Sequence, residues 1–168
     1  LAGATDGLVP ANEAMTTLLR GDHTVKYVGT DDYVPLRLID FDNLDENDFV
    51  VSDEVTFGPP GKERRYDVVL WVNGIPLVVI ETKTAVNSSV SWLNGARDIA
   101  NVYAVEGPTF FTPNVLVAAT DGKEFHYGAA GQPVDEIGID GAKERRAVGQ
   151  PFCEVRSLVE QRPHFGSR

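Results

Sequence analysis

Two apolar runs dominate the hydropathy pattern, residues 68–72 and 75–80, separated by Asn73-Gly74. Short runs rich in β-branched residues and split by Asn-Gly predict two strands joined by a tight hairpin turn. Both faces of both strands are apolar, which predicts a sheet covered on each side rather than a half-exposed ribbon. Three charges break the pattern: Asp67 on the first strand, Glu81 and Lys83 at the end of the second. Side chains alternate faces along a strand, so Glu81 and Lys83 share a face with Leu77 and Val79. Asp67 shares one with Val69 and Trp71. A plain two-residue loop sets Asp67 opposite Ile80, on the wrong face from Glu81. An odd-count loop or a β-bulge sets it opposite Glu81. Pro76, which has no N–H to give a regular ladder, favours the irregular option.

Around this hairpin the pattern predicts further elements. Residues 1–10 read as extended. Residues 12–19 read as a helix capped by Asn12, with Glu13 placed to favour its dipole. Residues 24–28 and 33–39 read as strands about a turn at Thr30-Asp31-Asp32. Residues 49–57 read as a strand with Asp53 and Glu54 facing solvent, and Gly58-Pro59-Pro60-Gly61-Lys62 as a turn. A polar loop, 84–91, leads from Ser89 or Ser91 into a helix running to about residue 105. Its apolar stripe is Trp92, Ala96, Ile99, Val102 and Tyr103, which reads as core rather than as a base-stacking platform. Gly107-Pro108 ends it. Residues 115–119 form a strand, Asp121-Gly122 a turn and 124–127 its partner, with His126 read as a surface position. Strands interleaved with helices predict an α/β fold, a mixed central sheet flanked by helices. Residues 1–128 read as one domain and 129–168, with the charged patch Lys143-Glu144-Arg145-Arg146, as an extension or linker toward a missing domain.

Composition narrows the field. A chain of 168 residues with 42 % hydrophobic content builds one ordinary domain with a sound core. No apolar run approaches membrane-span length. The start, Leu1-Ala2-Gly3, reads as that of a fragment or processed chain. The lone Cys153 suits a reducing cytoplasm and reads as filler. A net charge of −10 argues against a domain that grips DNA unaided. Locally, Lys62, Arg64 and Arg65 precede Asp67; Arg64 and Arg65 read equally well as phosphate contacts and as surface. The acidic stretch 40–48 lacks the glycine of a calcium-binding EF-hand loop, and residues 58–62 lack the spacing of an ATP-binding phosphate loop.

Two carboxylates close together raise each other's pKa, and a hard dication between them removes that cost. Mg²⁺ uses oxygen ligands of this kind, commonly with substrate phosphate, and Mn²⁺ suits the same set. Asp67, Glu81 and the backbone carbonyl of Thr82 are the candidate ligands. Lys83 stands where it can stabilise charge growing at phosphorus. The residues alone leave a second reading open: a covered hairpin whose charged ends reach solvent.

Asp67 followed by Glu81-Thr82-Lys83 resembles the PD-(D/E)xK nuclease signature, which is short by itself. The surrounding residues 65–83 resemble the nuclease core of the restriction (R) subunit of type I restriction-modification enzymes. So do Ala11-Asn12-Glu13, Leu18-Leu19-Arg20-Gly21, Leu38-Ile39-Asp40-Phe41-Asp42-Asn43, Asn47-Asp48-Phe49 and Leu116-Val117-Ala118-Ala119-Thr120-Asp121-Gly122. The likeness runs in order over residues 11–128. It implies a restriction-endonuclease-like core, Asp67 and Glu81 as metal ligands and Lys83 as the catalytic lysine. It further implies double-stranded DNA as substrate, and methylation and specificity subunits as partners. ATP would act only in a translocase region absent from these residues. The family's Gln-x-x-x-Tyr element, which steadies the site or the DNA, finds its tyrosine in Tyr103. Its glutamine position falls on Ile99, and neighbouring Asp98 is expected to point elsewhere. A non-cutting docking module of the same fold and a stand-alone DNA-repair nuclease are the alternatives.

Overall fold

The computed structural model describes residues 7–84, 86, 89–134 and 138–139. The extended start expected before residue 7, positions 85 and 87–88 of the polar loop, the patch at 143–146 and Cys153 lie outside the described residues. The order is α1 (Leu8–Leu19), β1 (Thr24–Lys26), β2 (Tyr33–Pro35), β3 (Phe49–Phe57), β4 (Arg64–Val72) and β5 (Ile75–Thr82), followed by α2 (Trp92–Asp98). A π-turn (Ile99–Tyr103), α3 (Ala104–Glu106), α4 (Pro108–Phe111), β6 (Leu116–Thr120), β7 (Phe125–Gly128) and β8 (Gly138–Ile139) complete it.

Six strands form one mixed sheet in chain order, β3-β4-β5-β6-β7-β8, with β5 and β6 parallel and every other pair antiparallel. The α/β expectation holds. The parallel step is where α2 to α4 cross over, as a parallel pair requires. The sheet takes in Gly138–Ile139, ten residues past position 128. β1 and β2 pair only with each other and are shorter than the pattern predicts. All six of their residues are exposed, so no buried face prolongs the ladder.

The hairpin turn is a two-residue one, with Asn73 at φ 51° and Gly74 at φ 76°. Positive φ at both central positions is the type I′ geometry that suits a twisted hairpin. Val72 faces Ile75 and Trp71 faces Pro76, but Leu70 faces Val78. Leu77 is therefore the extra residue of a β-bulge. The expected irregularity is present, carried by the bulge rather than by the loop. The Asn73 side chain also ties the turn to the preceding loop, donating to the Leu38 carbonyl at 2.8 Å and accepting from the Asp48 N–H at 2.8 Å. The acidic stretch before β3 is a loop with one 3₁₀ turn at Leu44–Glu46, as expected. Asp40 there caps the N–H groups of Asp42 and Asn43. Those bonds hold its carboxyl below the usual range.

The α1 helix starts earlier than its pattern suggests, at Leu8. Asn12 is thus inside the helix, not its cap, and Glu13 is past the first turn. The Asn12 amide instead donates to the carbonyls of Thr112 and Asn114 at 2.9 and 2.6 Å, joining α1 to the segment before β6. The core lies between sheet and helices: Tyr66, Val69, Val79, Ile99, Phe110, Phe111 and Val117, with Trp71 and Tyr103 against it. Tyr66 stacks on Phe110 at 4.4 Å and meets Phe111 edge-on. Burial pushes the Tyr66 phenol up to about 12, with the neighbouring Tyr103 adding to the rise.

His126 is not a surface residue: it is 2 % exposed and stacked on Trp92 with ring centres 3.5 Å apart. It stands opposite Ala119 on β6, and Trp92, at the start of α2, covers it. Trp92 is held there by its N–H, which donates to Asp121 Oδ2 at 3.2 Å. Asp121 also accepts from the N–H groups of Lys123 and Glu124, each at 3.0 Å. The bonds from Glu124 and Lys123 hold its carboxyl below the usual 3.8. A depressed folded-state pKa contributes stability above the unfolded value and loses it as pH falls through the folded one. Asp121→Ala is therefore expected to melt below the parent at neutral pH. The gap should narrow as pH drops below 3.8, measured by thermal denaturation across an acid series. A gap independent of pH would contradict the charged-acceptor role.

Candidate active site

The β4–β5 ladder pairs Val68 with Ile80, and one step further along the two strands stand Asp67 and Glu81. The bulge at Leu77 is what brings these two numbers to the same level. Glu81 is 3 % exposed. It is buried because α2 lies directly on it at Gly95, where an added Cβ would come within 3.1 Å of Glu81 Cγ and 3.4 Å of Ala119 Cβ. Glycine in a helix costs about 1 kcal/mol relative to alanine, and here close approach is the return. Gly95→Val is expected to lower stability by about 1–3 kcal/mol, the usual cost of overpacking. It should also displace Glu81. Denaturant titration together with Mn²⁺ binding checks this; a variant equal to the parent in both would contradict the contact.

Glu81 Oε1 accepts from Lys83 Nζ at 2.7 Å and, more weakly, from the Tyr103 hydroxyl at 3.4 Å. Its other oxygen, Oε2, is buried and has no hydrogen-bond partner among the described residues. Burial raises the Glu81 pKa; Lys83 opposes the rise, while the charges of Asp67 and Asp98 add to it. The Asp67 carboxylate is oriented by Thr82, whose N–H and hydroxyl both donate to Oδ2 at 2.8 Å. Oδ1 of Asp67 takes no hydrogen bond from the described residues. Thr82 thus contributes a visible second role, holding Asp67, besides the carbonyl ligand expected of it.

Lys83 leaves the end of β5 with its N–H donated to the Thr120 carbonyl at 2.8 Å. Its ammonium meets Asp98 Oδ2 at 2.7 Å as well as Glu81. Burial works against the charge, but hydrogen bonds to Asp98 and Glu81 outweigh it and hold the ammonium above its ordinary pKa. Asp98 is the residue the sequence reading misplaces: it points into this cluster, while Ile99 is 4 % exposed in the core. Tyr103 joins the cluster through Glu81, and its hydroxyl pKa is raised by burial and by the Glu81 charge.

Arg64 and Arg65 are both engaged. Arg64 is paired with Glu106, and Arg65 Nη1 lies 3.2 Å from Glu54 Oε1. A buried carboxylate with an orphaned oxygen, a second carboxylate held beside it and an ammonium in contact form a cluster suited to a hard dication and a phosphate.

A family model described as type I restriction enzyme R protein N terminus matches residues 1–135. The chain belongs to that family. This R-protein N-terminal domain resembles the HindI type I restriction enzyme endonuclease subunit of Haemophilus influenzae, at 30 % identity over 68 % of the chain. It also resembles two subunits of Methanocaldococcus jannaschii, both named putative type I restriction enzyme endonuclease subunits. MjaIXP is 28 % identical over 56 % of the chain, and MjaVIIP 42 % identical over 38 %. The matches span only 11 %, 9 % and 6 % of those relatives' lengths. Among the described residues no helix is long and apolar enough to cross a membrane.

Of the residues gathered in this candidate cluster, Asp67, Glu81, Lys83 and Tyr103 are legible from sequence. Gly95 carried a signal that could have been used, a glycine inside an amphipathic helix. Asp98 carried none, because its direction depends on the π-turn that follows it.

Proposed function

We propose that this domain is the DNA-cutting part of a type I restriction R subunit, dependent on Mg²⁺ or Mn²⁺ and without sequence preference of its own. One observation carries the reading: Glu81, buried and with Oε2 lacking a donor among the described residues, contacts Lys83 and lies one ladder step beyond Val68–Ile80, level with Asp67. An interior carboxylate left short of a partner is costly unless a cation completes it. Asp67 and Glu81 would hold the ion, with the Thr82 carbonyl beside them. When bound, the ion supplies charge neutralisation at the phosphate and a more acidic water.

The remaining work falls to the chain. Thr82 fixes Asp67 by two bonds to Oδ2, and Oδ1 would be the atom offered to a ligand. Lys83 presents its ammonium beside Glu81, where a phosphodiester oxygen gains charge in the transition state. Tyr103 donates a long hydrogen bond, 3.4 Å, to Glu81 Oε1. Recognition of a DNA site would come from methylation and specificity subunits, and ATP-driven movement from a translocase region of the intact polypeptide. The engagement of Arg64 by Glu106 and of Arg65 by Glu54 favours a DNA grip supplied largely by those other parts. The same engagement is what a non-cutting docking module would display, and activity separates the two.

The test is Mg²⁺-dependent cleavage of plasmid DNA by the intact subunit assembled with its partners. Glu81→Gln is expected to abolish cleavage while DNA-stimulated ATP hydrolysis continues. Cleavage at the parental rate by Glu81→Gln would refute the nuclease reading.

A further inference from the structure

We infer that Asp98 is a positioning residue for Lys83, brought to the site by the π-turn; the inference rests on the nuclease reading above. In a regular α-helix residues five apart diverge by about 140° around the axis. Asp98 and Tyr103 are five apart, yet both reach the same pair of side chains: Asp98 Oδ2 meets Lys83 Nζ at 2.7 Å, and the Tyr103 hydroxyl meets Glu81 Oε1 at 3.4 Å. The π-turn over Ile99–Tyr103 explains this. Its wider i→i+5 winding brings residues five apart nearly into line. The helix thus carries one residue more between its two site-facing positions than a four-residue spacing would allow. Ile99, the residue that such a spacing selects, turns into the core.

What Asp98 does there follows from the donor inventory of lysine. An ammonium has three protons on a flexible stem. Two are taken by carboxylates from different elements, Glu81 on β5 and Asp98 at the end of α2, each at 2.7 Å. Two fixed acceptors define the direction of the third N–H. Lys83 is thereby aimed before any phosphate arrives, which reduces the rotamer freedom lost on binding. The Asp98 side chain is 41 % exposed and lies outside the core cluster, so its truncation leaves the packing of the domain in place.

The experiment uses the intact subunit with its partners and measures single-turnover plasmid cleavage in Mg²⁺. Asp98→Ala is expected to slow cleavage by about ten- to a hundredfold, the range for removing a side chain that orients a functional group, with Mn²⁺ affinity unchanged and the fold retained. Asp98→Gln, which returns an acceptor oxygen one methylene further out, restores part of the rate at most. In a Lys83→Ala background Asp98→Ala causes no further loss, since coupled residues are non-additive. Asp98→Asn, close to isosteric, guards against a folding defect and falls between alanine and parent. Parental cleavage by both Asp98→Ala and Asp98→Asn, with Lys83→Ala strongly slowed, overturns the role of Asp98 and leaves the nuclease reading standing. An equal loss from Asp98→Ala in both backgrounds also overturns it. Parental cleavage by Lys83→Ala instead removes the nuclease reading, and this inference with it.

Discussion

Lys83→Ala is expected to cut plasmid DNA about 10²- to 10³-fold more slowly than the parent, the usual loss for deleting one preorganised transition-state donor. That corresponds to about 3–4 kcal/mol of barrier. The loss should fall on the cleavage step and spare metal binding. Lys83 is a cation and no ligand, and its removal leaves Glu81 Oε1 with only the long bond from the Tyr103 hydroxyl at 3.4 Å. Mn²⁺ affinity is therefore expected to stay equal or rise, because the competing ammonium at 2.7 Å is gone. Lys83→Arg should rescue poorly: a planar fork does not fit between Glu81 and Asp98 as a compact ammonium does. Single-turnover cleavage together with Mn²⁺ titration by electron paramagnetic resonance separates the two effects. A variant that loses metal binding and cleavage in parallel would place Lys83 in a structural role.

Phe111→Ala is expected to destabilise the domain by about 3–5 kcal/mol, the range for emptying a buried aromatic site. Phe111 is fully buried on α4, edge-on to Tyr66 at 5.7 Å and to Phe110 at 6.0 Å. These rings join β4 to the helical crossover, so the space left cannot close by moving one element alone. Domains hold only about 5–15 kcal/mol in all, so the variant should be near the edge of folding. The urea midpoint is expected to fall with the slope unchanged. A loss under about 1 kcal/mol, small for a core truncation, would mean that the aromatic cluster is not what holds the crossover to the sheet.

Much of the fold was legible because its signals are local. β3 occupies residues 49–57 as its pattern predicts, and the Asn73-Gly74 turn follows from two residues that tolerate positive φ. The early start of α1 was hidden because Leu8, Val9 and Pro10 give no polar cap; Gly7 at φ 96° stands at the N-cap, with no side-chain bond. His126 was misjudged because alternation along a four-residue strand does not say which face a distant tryptophan will cover. The candidate residues on the hairpin stand out by their charge in an apolar setting. Asp98 was lost because a helical pattern assumes one winding throughout.

The amino-acid order by itself determined that two apolar strands meet at a tight turn with two acids and an amine at their far ends, since strand propensity, turn chemistry and charge are properties of neighbours in the chain. It also determined the family. Only the tertiary structure decided where the extra residue of the hairpin goes, that Glu81 lies under Gly95, and that Asp98 rather than Ile99 reaches Lys83. Each of those depends on a hydrogen-bond register, at the bulge or in the π-turn. A one-residue shift there costs little locally and is selected by what packs against the other side.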